Sequence, residues 1–569
     1  MPCPICTAFR THPLRTPRRH FFRCEACGTV FASEASIPDS VSARKRYLLH
    51  RNSREDKGYV AFLSDIIERS LAVTGPGVRD VVDWGSGPEP VCSVLLREQG
   101  FSVHAWDPVF NDGEEPAPHS CDLALCVEVA EHFVSPRDDF LRLAAKLRPG
   151  AFLVLHTAQV PATDADFIAW WYQEDPTHVV FYSEKSLQRL GRYAGLVFVG
   201  IQEKRLAIFR KPLPVLVAGG MNLDIQGRSF SSPVAGDSNP GTLRFAPGGA
   251  GRNIAENLAR LGAAVEFLSV RGIDVAGNEC AAKTAKAGVG MTGVSVLEGE
   301  TSSCYLAILD DRGDMSLALS AMDILEHFDP AAVLRVLGQV EVACAVACFQ
   351  GGAPQHFSAL LMDGNLRPDT IAALIERLPG IPVWFDPVSG TKARRFSEYQ
   401  QGRLLSRIGA LKPNGLELDV FLEALGVPAA VASPVESAAI LARAGSSLSE
   451  SDTSPARTTP RAERTLAALR NLRDFGVREV YVSLGAEGVA WEGASSRGTY
   501  APPAVEAVSA TGAGDALMAT LAWSRLLGVA PGEAVMLGCA AAALTLGSPD
   551  ACSPELSFGV LLDHQEETV

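Results

Sequence analysis

Positive charge is in short supply in this chain: 51 Lys and Arg stand against 65 Asp and Glu, a formal net charge of −14. That deficit excludes a protein held to nucleic acid by bulk charge and leaves room only for a local basic patch. Long apolar runs are also lacking. The longest, near Ala534 to Leu546, is interrupted by Gly538 and is too short to span a bilayer, so no membrane partner is expected. The N-terminus opens Met-Pro-Cys-Pro, without the apolar core of a signal peptide, which predicts a cytoplasmic protein. No internal repeat is visible. Thirteen cysteines in 569 residues do not suggest a disulfide framework. Four of them are spaced for metal, and the others read as small core residues. The rest is ordinary globular composition, 47% hydrophobic and 20% charged, at a length that predicts about three or four domains.

Three units follow from the pattern. Residues 1 to about 35 are a small Cys-rich module. Residues 55–211 alternate strand-like and helix-like segments. An apolar strand restarts at Pro214, and a longer α/β unit runs from 213 to 569. The joint Arg210-Lys211-Pro212-Leu213-Pro214 is short, so the two large units are expected to pack closely. Ser446 to Arg461, SSLSESDTSPARTTPR, has no apolar periodicity and cannot bury enough surface to offset its ordering entropy. It is expected to be a disordered insertion.

Cys3 and Cys6, then Cys24 and Cys27, form two C-x-x-C pairs separated by 17 residues. Zinc takes four soft ligands in a tetrahedron, and each pair supplies two from a tight turn. A redox dithiol would need only one pair. A structural zinc ribbon is therefore expected. Arg15, Arg18, Arg19 and Arg23 lie between the pairs, with Phe21 and Phe22 interleaved. That pattern suits either RNA contact or, more simply, a solvated basic face.

In the middle unit, Val81-Val-Asp83-Trp-Gly85-Ser-Gly87 runs an apolar strand into a glycine turn, and a helix from Val91 follows. The next strand, from Ser102, ends at Asp107. This is the logic of a nucleotide-type site in a doubly wound sheet. Gly85 and Gly87 let a ligand approach the backbone, and the acidic residue after the second strand accepts ribose hydroxyl hydrogens. With the later segments "EVAEHF" and "LRPGAFLVLHT", residues 55–211 resemble class I S-adenosylmethionine-dependent methyltransferases. The resemblance implies a Rossmann-like domain with Asp83, Gly85, Gly87 and Asp107 at the S-adenosylmethionine. It departs from the family near Glu89, where "GSGPEP" lacks the third glycine. Asp175-Pro-Thr-His178 resembles an element of zinc-ribbon-bearing methyltransferases. His178 has two readings there: a general base of near-neutral pKa, or a residue that packs the loop before the helix starting at Ser183.

In the last unit, Thr511-Gly512-Ala513-Gly514-Asp515 opens a long apolar helix. Free N–H groups and the helix dipole favour an anion at such a start, and Asp515 in the first turn is placed to take a hydroxyl proton. Alone, this could be an ordinary helix start. It is accompanied by a second glycine turn into a helix, Gly248-Gly249-Ala-Gly-Arg-Asn253, where Asn253 can hydrogen-bond a diol. Asn414-Gly-Leu-Glu417 suits magnesium and its waters. Ser483-Leu-Gly485-Ala-Glu-Gly488 ends a strand in a glycine turn suited to ATP phosphates. Together, "GGAGRNIAENLARLG" and "TGAGDALMA" resemble the ribokinase-like (PfkB) family over about 213–560. The resemblance implies an α/β fold with a small β lid, to which Ser303 to Leu319 contributes. It makes Asp515 the base and Gly512, Ala513 and Gly514 the anion hole. Asn222, Asp224, Gly249 and Asn253 then face the sugar, and Asn414, Glu417, Ser483, Gly485 and Gly488 serve ATP and Mg²⁺. "AMDILEHF", "DGNLRPDTI", "FDPVSGTKA" and "LKPNGLE" resemble the pseudouridine kinase branch.

The expectation is a fused enzyme, a zinc-bearing methyltransferase-like half and a kinase half acting on a small nucleoside or sugar, foremost pseudouridine. Two alternatives stand beside it. The kinase substrate could be ribose or another sugar, and the N-terminal half could be a binding module that does not methylate.

Overall fold

The computed structural model describes residues 1–49, 52–110, 114–349, 351, 355–427, 460–509 and 511–567. Of the expected disordered insertion, residues 446–459 lie outside the described residues. Pro460 and Arg461 open a helix, Pro460–Asp474.

The Cys-rich module is a meander of Thr11–Arg15, His20–Cys24 and Val30–Ala32, and its sheet is completed by Val180–Phe181 from the middle unit. Phe31 pairs with Val180 and Val30 with Phe181. The module is therefore built into the wall of the next unit. Arg19 is buried, and its guanidinium donates to the carbonyls of Gln173, Asp175 and His178. Arg23 is paired with Asp164 at 2.7 Å. Two of the four arginines expected on a basic face are thus turned inward. The sequence could not foresee this, because their partners lie some 140 residues or more away.

The middle unit is a six-stranded sheet in the order Ser102–Trp106, Asp80–Trp84, Cys121–Val127, Leu147–His156, Leu206–Arg210, Val197–Gln202. The first four strands are parallel and the last two antiparallel. Helices cover the parallel strands, which is why these read as nearly unbroken apolar runs.

The last unit has a nine-stranded sheet, parallel from Val294–Val296 through Val265–Arg271, Val215–Ala218, Ala359–Asp363, Val383–Asp386 and Ala410–Leu411 to Glu479–Ser483. Two antiparallel strands, Val489–Glu492 and Arg497–Tyr500, finish it. A separate four-stranded sheet, Gly241–Gly248, Asn222–Ser229, Cys304–Leu309 and Met315–Ala321, forms the lid. Exposed Leu243, Phe245, Leu317 and Leu319 show how little of the lid is packed on the core. The helix Pro330–Ala347 is long and apolar enough to cross a membrane by length and composition. Here it lies against the sheet through Val333, Val336, Leu337, Val340 and Cys344.

The two large units pack against each other as the short joint predicts. Phe349 N–H donates to the Pro149 carbonyl, and the Phe349 ring sits edge-on to Phe152. Arg137, stacked 4.0 Å from the Tyr193 ring centroid within the middle unit, pairs across with Asp563 of the helix Phe558–Glu567.

Candidate functional sites

The first candidate site assembles where the parallel strands of the last unit end. Two central strands end in an acidic residue, each with its apolar body buried and its carboxyl end opening into the cleft. Asp363 ends Ala359–Asp363 and Asp386 ends Val383–Asp386. Asp363 Oδ2 accepts from the N–H groups of Gly220 (2.9 Å) and Gly251 (2.6 Å), tying the first strand's exit to the glycine turn. Asp386 pairs with Lys412 at 2.9 Å, both buried. Neither aspartate was singled out as a site residue from the sequence. Their signals were an apolar run ending in Asp, in "LLMD" and "VWFD", and their place in the segments "DGNLRPDTI" and "FDPVSGTKA".

Asp515 lies in the first turn of the helix Ala513–Leu526, with Gly512 at the N-cap. Gly512 has φ 86°, and a Cβ there would sit 2.0 Å from the Ala551 carbonyl oxygen, so no other residue fits. A Cβ on Gly514 would point at the Lys412 ammonium, 3.5 Å away. The helix start and a buried cation therefore face the same point. Burial and then the charge of Asp386 push the Asp515 carboxyl up to about 8, while Asn253 pulls it back. Asn253 Nδ2 donates to Asp515 Oδ2 at 2.8 Å, and its Oδ1 accepts from Arg252. The sequence predicted that this amide meets a sugar diol. The fold turns it onto Asp515.

Gly249 has φ 97°, and a Cβ would lie 2.4 Å from the Gly220 carbonyl oxygen. Asn222 pairs with Gly248 across the lid strands, and its Nδ2 donates to Asp224. The lid hinge thus delivers Asn222 and Asp224 next to the glycine turn. Asn414 and Glu417 form a capping box on the helix Gly415–Ala424, each holding the other's backbone N–H. Burial and Asp386 push Glu417 up to about 7. Ser483 bridges to Asn414 across the sheet. Gly485 faces open space, whereas Gly488 is closed over, its Cβ position lying 1.9 Å from the Tyr500 carbonyl oxygen. The strand register explains Gly488 without a ligand.

The second site is a cavity of about 1130 Å³ at the carboxyl ends of the middle sheet. It lies where chain order reverses, between Asp80–Trp84 and Cys121–Val127. Trp84, Trp106 and Val127, the last residues of three parallel strands, line it with Gly85, Gly87, Asp107 and His178. Asp107 Oδ2 accepts from Gly87 N–H (2.9 Å), and Oδ1 from Val109 and Phe110 N–H. Gly85 has φ 79°, and a Cβ there would collide with Val129 at 2.4 Å. Gly87 faces open space.

Asp83, expected beside the cofactor, is not among the residues that line the cavity. Neighbouring strand residues face opposite sides. Trp84 therefore faces the cavity, and Asp83 accepts from Ser93 N–H and Oγ–H at the start of the next helix. Burial pushes Asp83 up to about 6.

His178 is held by its Nδ1 on the Tyr172 carbonyl, 2.7 Å away, and burial lowers its pKa. Both readings of this residue meet here, since a packed ring also lines the cavity. The sequence missed Arg46 and Tyr47, supplied by the helix Ser40–Tyr47 ahead of the expected domain start, and the buried Glu131. Burial and the Glu128 charge push Glu131 up to about 8.

The four N-terminal thiols are buried and lie within 4.8 Å of one another, with Cys3–Cys27 at 3.6 Å and Cys6–Cys24 at 3.5 Å. Zinc–sulfur bonds of about 2.3 Å imply tetrahedral edges of about 3.8 Å, so the donor set fits zinc.

The "pfkB family carbohydrate kinase" family matches residues 214–557, and a "Methyltransferase domain" family matches residues 50–200. The pseudouridine kinase of Escherichia coli (strain K12) is 29% identical over 353 residues, 62% of this chain and 96% of its own length. The uncharacterized sugar kinase YeiI of the same organism is 28% identical over 372 residues, 65% of this chain and 86% of its own. Among solved structures, a carbohydrate kinase from Agrobacterium tumefaciens is 27% identical and aligns over 63% of this chain and 98% of its own, with a TM-score of 0.47. The chain belongs to the PfkB family of carbohydrate kinases and carries a methyltransferase domain ahead of its kinase domain.

Proposed function

We propose that the C-terminal domain transfers the γ-phosphoryl group of ATP to the 5′-hydroxyl of pseudouridine, with Asp515 as the base. The observation that carries the chemistry is Asp515 in the first turn of a glycine-capped helix, held by Asn253 at 2.8 Å. Its carboxylate takes the hydroxyl proton. The N–H groups of Ala513 and Gly514 face the phosphoryl group, whose developing charge the helix dipole favours. Asn414 and Glu417 would hold Mg²⁺ through water, and Ser483 and Gly485 would border the polyphosphate. Magnesium, when bound, offsets the charge of the phosphates. Asn222, Asp224 and Gly249 line the sugar side under the lid. The choice of pseudouridine rests on the 29% identity to a pseudouridine kinase over 96% of that protein. The test is a panel of nucleosides and free sugars with ATP and Mg²⁺. The highest kcat/KM is expected for pseudouridine. A higher value for ribose would overturn the substrate and leave the kinase standing.

For the N-terminal half, zinc is assigned to Cys3, Cys6, Cys24 and Cys27, and S-adenosylmethionine to the cavity at Gly85, Gly87 and Asp107. That cofactor supplies an electrophilic methyl group when bound. Asp107 holds the Gly87 loop and offers the remaining lone pair of Oδ2 to a ribose hydroxyl. Asp107→Ala is expected to weaken S-adenosylmethionine by about 1.5–3 kcal/mol, the scale of hydrogen bonds to a charged group. Calorimetry that detects no binding to the wild-type protein would leave the half a binding module.

A further inference from the structure

Two histidines and a carboxylate converge on one wall of the middle-domain cavity. Glu131 and His132 come from the turn after the strand Cys121–Val127, and His178 from the loop before Val180. One ligand atom from each lies within 4.8 Å of the other two. We propose that Glu131, His132 and His178 form a second metal site, which takes a divalent first-row transition ion and leaves coordination positions open to the cavity.

The tautomers fit a metal. His132 Nδ1 lies 2.8 Å from the Thr177 carbonyl, and His178 Nδ1 lies 2.7 Å from the Tyr172 carbonyl. A carbonyl only accepts, so both Nδ1 atoms carry hydrogen and both Nε2 atoms keep the lone pair a metal needs. A ring N–H fixed by a carbonyl is the usual support of a metal-bound imidazole. Glu131 is supported in the same way, accepting from Tyr172 Oη–H and Thr157 Oγ1–H at 2.7 Å, one on each oxygen. Each oxygen retains a further lone pair.

Charge points the same way. Glu128 and Glu131 share the Tyr172 phenol, and Glu131 is fully buried, a placement a cation offsets. Glu128 holds φ 54°, a conformation that costs energy in a non-glycine residue and gathers at functional sites. The frame is tied together: Val179 N–H donates to the Glu131 carbonyl, and Arg19 donates to that of His178. Two imidazoles and one carboxylate suit Mn²⁺, Fe²⁺, Co²⁺ or Zn²⁺. His178 is then a ligand in place of a free base, and the open positions admit an oxygen donor of water or of the methyl acceptor. The site does not require S-adenosylmethionine, so it stands or falls apart from cofactor binding.

The test is pulsed electron paramagnetic resonance on the full-length zinc-loaded protein with added Mn²⁺. Mn²⁺ also suits the carboxylates near Asp515, but no imidazole belongs to that cluster among the described residues. Nitrogen modulation from imidazole therefore reports the new site alone. We expect that modulation in the wild-type protein, and its loss in His132→Ala/His178→Ala with kinase turnover retained. Tyr172→Phe should weaken the Mn²⁺ affinity of this site by about 10–100-fold, the range for outer-sphere partners. Absence of nitrogen modulation in the wild-type protein overturns the proposal without any variant. Modulation that persists in the double variant overturns it as well.

Discussion

Asp515→Asn is expected to lower phosphoryl transfer by about 10²–10⁴-fold, the range for a lost general base, while nucleoside binding survives. The substitution keeps shape and the contact to Asn253 and removes only the proton acceptor. The pH dependence follows from the environment. Burial and Asp386 hold the folded-state carboxyl near about 8. A base must be ionised to act, so kcat/KM of the wild-type enzyme should rise with pH through this region and level off above it. The folded-state value lies above the unfolded value of about 3.9. The stability this group contributes is therefore fully present below that lower pH and is lost as pH rises through about 8. Asp515→Asn removes this titration. Its thermal unfolding should be less sensitive to pH, and it should be the more stable protein at alkaline pH, a common trade at active sites. Full turnover in the variant would remove Asp515 from the mechanism.

Asn253→Ala gives a companion result. A residue that only binds sugar would raise KM and leave kcat unchanged. Because its amide holds Asp515 at 2.8 Å, the loss should appear mainly in kcat. Steady-state kinetics on pseudouridine separates the two.

Combining Cys24→Ser with Cys27→Ser is expected to remove about one zinc per chain and to unfold the N-terminal meander. Structural zinc in small domains contributes about 10–16 kcal/mol of apparent binding free energy to folding, more than a three-stranded meander can replace. The damage should extend to the middle domain. The meander pairs with Val180–Phe181, and Arg19 within it grips the carbonyls of the His178 loop. Hydrogen exchange should therefore accelerate around residues 173–181, while phosphoryl transfer by the kinase domain, whose proposed site draws on none of these residues, stays near wild type. Zinc content unchanged in the double variant would overturn the Cys3, Cys6, Cys24, Cys27 assignment.

By itself the sequence determined what depends on local spacing. Two C-x-x-C pairs could be read as one metal centre because each pair is a single turn. Gly512 and Gly249 could be read as site residues because positive φ and close backbone approach admit only glycine there. The parallel strands declared themselves as apolar runs, and the lid as the strand-like stretch from Ser303 to Leu319.

Only the tertiary structure decided how side chains meet across long separations. Asn253 and Asp515 are 262 residues apart and Arg19 and His178 are 159 apart, and no local pattern encodes either contact. Asp83 and Trp84 are adjacent in sequence, yet the pleat sends one to a helix and the other to the cavity. Asp386 and Lys412 each sit at the end of an unremarkable strand, and become a buried ion pair facing the start of the helix Ala513–Leu526 because the two strands pair in parallel register. The glutamate and two histidines at the second cavity came from two motifs read separately. The fold brings them together through the Val179 N–H bond to the Glu131 carbonyl and the His132 ring on the Thr177 carbonyl, contacts between segments 45 or more residues apart that local spacing cannot encode.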